Sequence, residues 1–156
     1  MGYRFCLLRV MNLKQKCKKS SPKGAKDFSK SSEGDEQQKL FQWASIASNL
    51  LHYEGLGLMF HIPNEGKRSR FSGGKMKAEG LKRGVADICL PVPRGPYHGL
   101  FFEMKYDKNK LTKEQTQFLR GVKAQGYATW VCYSAQEAIE LITHYYELPK
   151  FNKGER

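Results

Sequence analysis

At 156 residues the chain is of single-domain length and large enough for a hydrophobic core of its own. Its 27 Lys/Arg against 15 Asp/Glu leave a net charge of +12, which makes a polyanion the first partner to expect. No apolar run approaches the roughly 18 residues of a membrane span, and Cys6, Cys17, Cys89 and Cys132 form no C-x-x-C and have no paired histidines at zinc spacing. A membrane partner, a disulfide framework and a zinc module therefore drop out, and a reducing cytoplasmic setting is the default.

The charge is uneven. Residues 1–33 hold nine Lys/Arg against two acids, a surplus of +7, and residues 14–34 are rich in lysine and serine with almost no large apolar side chain. Such a stretch cannot bury enough surface to offset its ordering entropy, so residues 1–34 are expected to form a mobile basic arm. Residues 3–11 fit either a short docking strand or a disordered lead.

The folded unit is expected over residues 35–148, with a tail at 149–156. Leu40, Trp43, Ala44, Ala47 and Leu51 recur three and four apart and predict an amphipathic helix over 36–52, with Glu36 on the same stripe. A strand over 56–62 follows, closed by Pro63, then a Gly- and Lys-rich loop over 64–75 and a short helical turn near 76–81. Residues 84–90 read as a strand ended by Pro91, Arg94-Gly95-Pro96 as a turn, and 98–106 as the returning strand of a hairpin.

Thr112 opens a helix with Phe118, Leu119 and Val122 on its core face, ending at Gly126. Residues 128–133 form a strand. Ser134-x-x-Glu137 is a capping box opening a last helix, with Ala138, Leu141, Ile142 and Tyr145 at helical spacing. The order helix, three strands, helix, strand, helix predicts an α/β fold, a small mixed β-sheet flanked by helices. Cys89 and Cys132 lie in apolar runs and read as core, and Trp43, Trp130 and the Tyr145-Tyr146 pair as core or interface.

Along Leu100-Phe101-Phe102-Glu103-Met104-Lys105, alternation puts Phe101, Glu103 and Lys105 on one face and Phe102 and Met104 on the other. A charged pair in an apolar strand is costly to bury without partners. Asp87, on the neighbouring strand, adds a second carboxylate. Hydrolysis of a phosphodiester needs a positioned water, a neutralised phosphate and a stabilised leaving oxygen, and carboxylate-bound Mg²⁺ can provide all of these. Asp87 and Glu103 are then the natural ligand pair, with the Met104 backbone carbonyl as a third ligand. Lys105 would orient or activate the water, or bind charge developing on the phosphate.

The competing account is a surface ion pair on an edge strand, since E-x-K alone is a common triplet. Against it stands the basic run over 65–83, where Lys67, Arg68, Arg70, Lys75, Lys77, Lys82 and Arg83 face only Glu65 and Glu79 directly before Asp87. Phosphate binding beside a reaction centre explains that placement better than solubility does. His61 and Asn64, which close the first strand, are candidates for contact with the scissile strand. Lys67, Arg68, Lys75, Lys77, Lys82 and Arg83 are candidates for contact with the phosphates of that substrate. His61 is not assigned as a base, because Mg²⁺ and Lys105 suffice.

The order Asp87, then Glu103-Met104-Lys105, resembles the PD-(D/E)XK nuclease superfamily. One branch is matched closely, the virus-type replication-repair nuclease (VRR-NUC) domain. The matching stretches are His61-Ile62-Pro63-Asn64-Glu65-Gly66, Lys82-Arg83-Gly84-Val85-Ala86-Asp87 and Tyr97-His98-Gly99-Leu100-Phe101-Phe102-Glu103-Met104-Lys105, continued by Leu111-Thr112-x-x-Gln115 and Gly126-Tyr127. The resemblance runs over about residues 35–146 and leaves out the arm. Ala86 stands where the superfamily's naming proline would be, a departure this branch tolerates.

The resemblance implies a restriction-endonuclease-like core and cleavage of DNA with Mg²⁺ or Mn²⁺, with Asp87 and Glu103 as ligands and Lys105 as the catalytic lysine. It also implies an acid on the first helix and a glutamine on the helix after the E-x-K strand, positions that Glu36 and Gln115 fit. Glu36 equally suits a first-turn acid complementing the helix dipole, and Gln38 or Glu54 would replace it under another register. Gln115 equally suits the N3 position of a Thr112-x-x-Gln115 capping box. By analogy with solitary domains of phages and mobile elements, the expected molecule is a homodimer resolving four-way (Holliday) junctions, since two symmetric nicks need two symmetric sites. A monomeric flap or nicking nuclease and a non-catalytic basic DNA-binding module are the alternatives.

Overall fold

The structure, a computed structural model, describes residues 32–50, 53–63 and 78–151, all within the compact unit Ser32–Arg156. The expected arm up to residue 31, the loop over 64–75 and the end of the tail lie outside the described residues.

Helix α1 (Glu33–Leu50) opens before the apolar spacing begins. The Ser32 N–H donates to the Asp35 carboxylate at 2.7 Å, and the Asp35 N–H donates to the Ser32 hydroxyl at 3.2 Å. This reciprocal cap draws Glu33 and Gly34 into the first turn, so the helix starts before the residue at which its apolar spacing would begin it. Gly55, at φ 81, then turns the chain into a 3-10 turn, Leu56–Leu58, in which Leu56 is buried. The strand expected over 56–62 is reduced accordingly to β1 (Phe60–His61).

Strands β2 (Ile88–Leu90) and β3 (Leu100–Met104) form the expected hairpin, pairing Ile88 with Phe102, Cys89 with Phe101 and Leu90 with Leu100. Helix α2 (Lys113–Ala124), strand β4 (Ala128–Cys132) and helix α3 (Ala135–Tyr146) complete the described chain. The sheet order is β1-β2-β3-β4, antiparallel except for the parallel β3–β4 pair that brackets α2. A mixed sheet flanked by helices is thus the observed architecture.

The apolar core lies between α1, α3 and the sheet. Leu40, Ala44 and Ala47 of α1 and Ala138, Ile142 and Tyr145 of α3 cluster with Ile88, Leu90, Leu100, Phe102 and Met104. Cys132 belongs to the same cluster, and Cys89 is a buried free thiol. Trp43 and Trp130 pack against it, and the Tyr145 hydroxyl donates to the Val92 carbonyl at 2.8 Å. The other strand face meets α2 through Phe101, whose ring lies 5.6 Å from Phe118 and 5.2 Å from Tyr127. Alternation along β3 therefore sends Phe102 and Met104 into the core and turns Phe101 and Glu103 towards α2.

Candidate active site

The hairpin register that pairs Ile88 with Phe102 sets Asp87, one residue earlier, beside the end of β3. The Met104 N–H donates to Asp87 Oδ2 at 2.9 Å, which ties that carboxylate to the strand carrying the E-x-K triplet. The edge strand holds the other side, where the Ile62 N–H donates to the Asp87 carbonyl at 2.7 Å. Asp87, Glu103 and Lys105 are all buried, Glu103 completely.

The α1 acid that lies beside Asp87 and Glu103 is Glu33. Glu33, Asp87 and Glu103 each offer a carboxylate oxygen, and these atoms lie within 4.8 Å of one another. Glu36, one turn further along, reaches a different destination. One of its oxygens accepts from the Ala135 N–H at the start of α3 at 2.8 Å, and the other pairs with Lys39 at 2.7 Å. Its place on the apolar stripe reflects burial against α3, with only 13% of the side chain exposed. Glu36, expected in the site, thus lies outside the carboxylate cluster. Gln38 is exposed, and Glu54 pairs with Lys150 at 2.6 Å, so neither replaces it. The signal for Glu33 was present as Ser32-x-x-Asp35, a cap that makes residue 33 helical.

Lys105 bridges the acids, its Nζ lying 2.8 Å from Glu103 Oε1 and 3.4 Å from Glu33 Oε1. Burial pushes the Lys105 ammonium down, but the hydrogen bond and charge of Glu103, then the charges of Glu33 and Asp87, outweigh it and hold the group above the usual lysine range. Burial pushes the Glu103 carboxyl up to about 7, the hydrogen bond from Lys105 opposes this, and the nearby Asp87 charge adds to it.

Gln115 both closes a capping box and touches Glu103. The Thr112 hydroxyl accepts from the Gln115 N–H at 3.2 Å and the Thr112 N–H donates to Gln115 Oε1 at 2.9 Å, a complete capping box at the start of α2. The other end of the same amide, Nε2, donates to Glu103 Oε1. Oε1 of Glu103 is thus held by Lys105 and Gln115, while Oε2 is buried and has no hydrogen-bond partner. A buried carboxylate oxygen left unpaired carries a desolvation penalty of about 1–3 kcal/mol or more. Three clustered carboxylates with one such oxygen are the donor set a hard divalent cation takes.

The expected DNA contacts divide into two groups. His61 is exposed on β1, paired with Ile88, which places it next to the Asp87 strand. Lys82 and Arg83 are exposed just before Asp87, and the Arg83 charge helps hold the Glu114 carboxyl low, after the hydrogen bonds from its own N–H and from Thr112. Asn64, Lys67, Arg68, Lys75 and Lys77 lie outside the described residues. Sequence reasoning passed over Lys108, Lys110 and Lys113, which are exposed between the E-x-K triplet and the first turn of α2. No helix among the described residues is long and apolar enough to cross a membrane.

The chain matches the family model of the VRR-NUC domain over residues 31–136, a span that contains Glu33, Asp87, Glu103, Lys105 and Gln115. A solved structure described as a "VRR_NUC domain protein" shares its fold with a TM-score of 0.66 and 24% sequence identity, covering 80% of this chain and 96% of that one. No curated protein matches the chain.

Proposed function

Since the chain belongs to the VRR-NUC domain family, we propose that it is a Mg²⁺-dependent, structure-selective DNA endonuclease whose ion is held by Glu33, Asp87, Glu103 and the Met104 backbone carbonyl. A VRR-NUC domain implies a nuclease acting on DNA, and nucleases of this type are typically metal-dependent. The observation that carries the assignment to these residues is the buried, unpaired Oε2 of Glu103 within a cluster of three carboxylates. Mn²⁺ is expected to substitute for Mg²⁺, as both take oxygen ligands.

A bound divalent ion would supply charge neutralisation at the scissile phosphate and an activated water. The protein's own groups do the rest. Glu103 is fixed in place by Lys105 and Gln115, and Asp87 by the Met104 N–H. In the metal-free protein the carboxylates favour the charged form of Lys105, and from its place beside Glu103 it would orient or activate the attacking water, or bind charge developing on the phosphate. Exposed Lys82, Arg83, Lys108, Lys110 and Lys113 would bind the phosphate backbone, and His61, paired with Ile88 beside the Asp87 strand, would contact the scissile strand. The basic segment up to residue 31 would add sequence-independent, salt-sensitive affinity.

Branched DNA is the substrate we favour, with a symmetric homodimer placing two such sites on a four-way junction in the cytoplasm. Labelled four-way, flap and linear duplexes incubated with and without Mg²⁺ test this. Cleavage should require the ion, be fastest on the junction, and fall by two to three orders of magnitude, roughly, in Asp87→Ala and Lys105→Ala. A wild-type protein that cuts none of the three, or variants that cut as well as it does, would overturn the assignment. Sedimentation of the free protein decides between dimer and monomer. Removal of residues 1–31 should weaken DNA binding and flatten its salt dependence while leaving cleavage at saturating DNA intact.

A further inference from the structure

Two residues outside the carboxylate cluster seat the helix that carries Gln115. Gly84, at φ +75, lies against the first turn of α2. A Cβ there would stand 2.5 Å from the carbonyl carbon and from the Cβ of Glu114, and 2.7 Å from the Gln115 backbone nitrogen. Two of these neighbours are backbone atoms, so no rotamer change relieves the overlap and α2 itself would have to move. Thr112 acts from within the helix. Its hydroxyl holds the Gln115 N–H and its own N–H takes up Gln115 Oε1. With Oε1 engaged, the amide can face Glu103 only through its Nε2 donor. The flipped amide would set a carbonyl oxygen against the Glu103 carboxylate and an NH₂ against the Thr112 N–H, two repulsive contacts in place of two hydrogen bonds.

We propose that Gly84 and Thr112 are positioning residues of the metal site. Together they fix the place and the orientation of the Gln115 amide, which holds Oε1 of Glu103 and so would leave Oε2 for an ion. This proposal rests on the metal-site reading above. It predicts that changes at either residue, neither of which is a ligand, are felt as a change in metal affinity. Loss of an outer partner that orients a ligand typically lowers metal affinity about tenfold to a hundredfold.

The test is direct Mn²⁺ binding to the full-length protein without DNA, by calorimetry and by the electron spin resonance signal of free Mn²⁺, beside the melting temperature of the metal-free protein. Thr112→Ala and Gly84→Ala should weaken Mn²⁺ binding about tenfold or more, while Thr112→Ser, which keeps the hydroxyl, stays within about a factor of two of wild type. Ser134→Ala is the matched control. It removes the equivalent hydroxyl cap from α3 and should lower the melting temperature by a similar amount with Mn²⁺ affinity unchanged.

A folded Thr112→Ala protein that binds Mn²⁺ as wild type does would overturn the proposal, as would a Ser134→Ala protein that loses affinity equally. If Gly84→Ala does not fold, the Thr112 and Ser134 variants decide alone. Asp87→Ala separates the two levels of inference. If it binds Mn²⁺ normally, the metal site itself is misassigned; if it loses binding while Thr112→Ala does not, only the positioning role fails.

Discussion

Helix α2 begins Thr112-x-x-Gln115 and helix α3 begins Ser134-x-x-Glu137, and in both the first hydroxyl accepts from the N–H three residues on, at 3.2 and 3.1 Å. The two ends differ in what the third side chain can still do once the helix is capped. The Glu137 carboxylate accepts the Tyr133 N–H at 2.7 Å and has no proton to give. The Gln115 amide accepts at one end and donates at the other, so the same side chain closes the cap and holds Glu103. The cap of α3 serves the fold alone, whereas the cap of α2 joins the fold to the site. An amide at position 115 is what that junction requires.

Exchanging the two side-chain types is the strongest test of this difference. Gln115→Glu places a carboxylate against Glu103 Oε1, where like charges repel, and should lower Mn²⁺ affinity about tenfold to a hundredfold with a matching loss of cleavage at limiting metal. Glu137→Gln keeps an acceptor for the Tyr133 N–H and should change stability by no more than about 0.5 kcal/mol, with cleavage unaltered. Equal cleavage by Gln115→Glu and wild type would show that the donor end of the amide has no role. A smaller contrast exists on α1. Glu33→Gln should weaken Mn²⁺ binding about tenfold without lowering the melting temperature. Glu36→Ala should instead cost about 1 kcal/mol of stability, through the lost cap on Ala135, at unchanged affinity.

The last contrast also marks where sequence reading reached its limit. The clustering of Asp87, Glu103 and Lys105 was legible because charges inside an apolar hairpin are too costly to bury without partners. The three helices were legible because their apolar spacing is long and regular. Glu33 was not, because its capping box sits in a Lys/Ser-rich context that reads as arm and uses Asp35 rather than a longer acid at the third position. The stripe that led to Glu36 was real but reported packing against α3. Leu56, Leu58 and Phe60 alternate as a strand would, and only the left-handed Gly55 converts the first part of that run into a 3-10 turn. The approach of Gly84 to Glu114 has no local signature at all, since it depends on how a loop meets a distant helix.

Acidity sharpens the comparison between the two caps, because the carboxyl that the α2 cap serves is held far from its ordinary state. Burial, with the adjacent Asp87 charge, moves Glu103 from 4.5 up to about 7 against the pull of Lys105. A carboxyl raised in this way binds a proton in the folded state that the unfolded chain releases, so the stabilisation it provides is complete below about 4.5 and is lost as pH rises through about 7. In metal-free protein, lowering the pH from about 8 to about 6 should therefore raise the melting temperature through this group, and Glu103→Gln should abolish that rise. Glu137→Gln should leave it in place. With the ion present the direction reverses, because Mn²⁺ competes with the proton for the same oxygens and its affinity should increase from about pH 6 to about pH 8. A wild-type protein whose Mn²⁺ affinity is flat across that range would show that Glu103 is already ionised without the metal, and that Lys105 and Gln115 alone offset its burial.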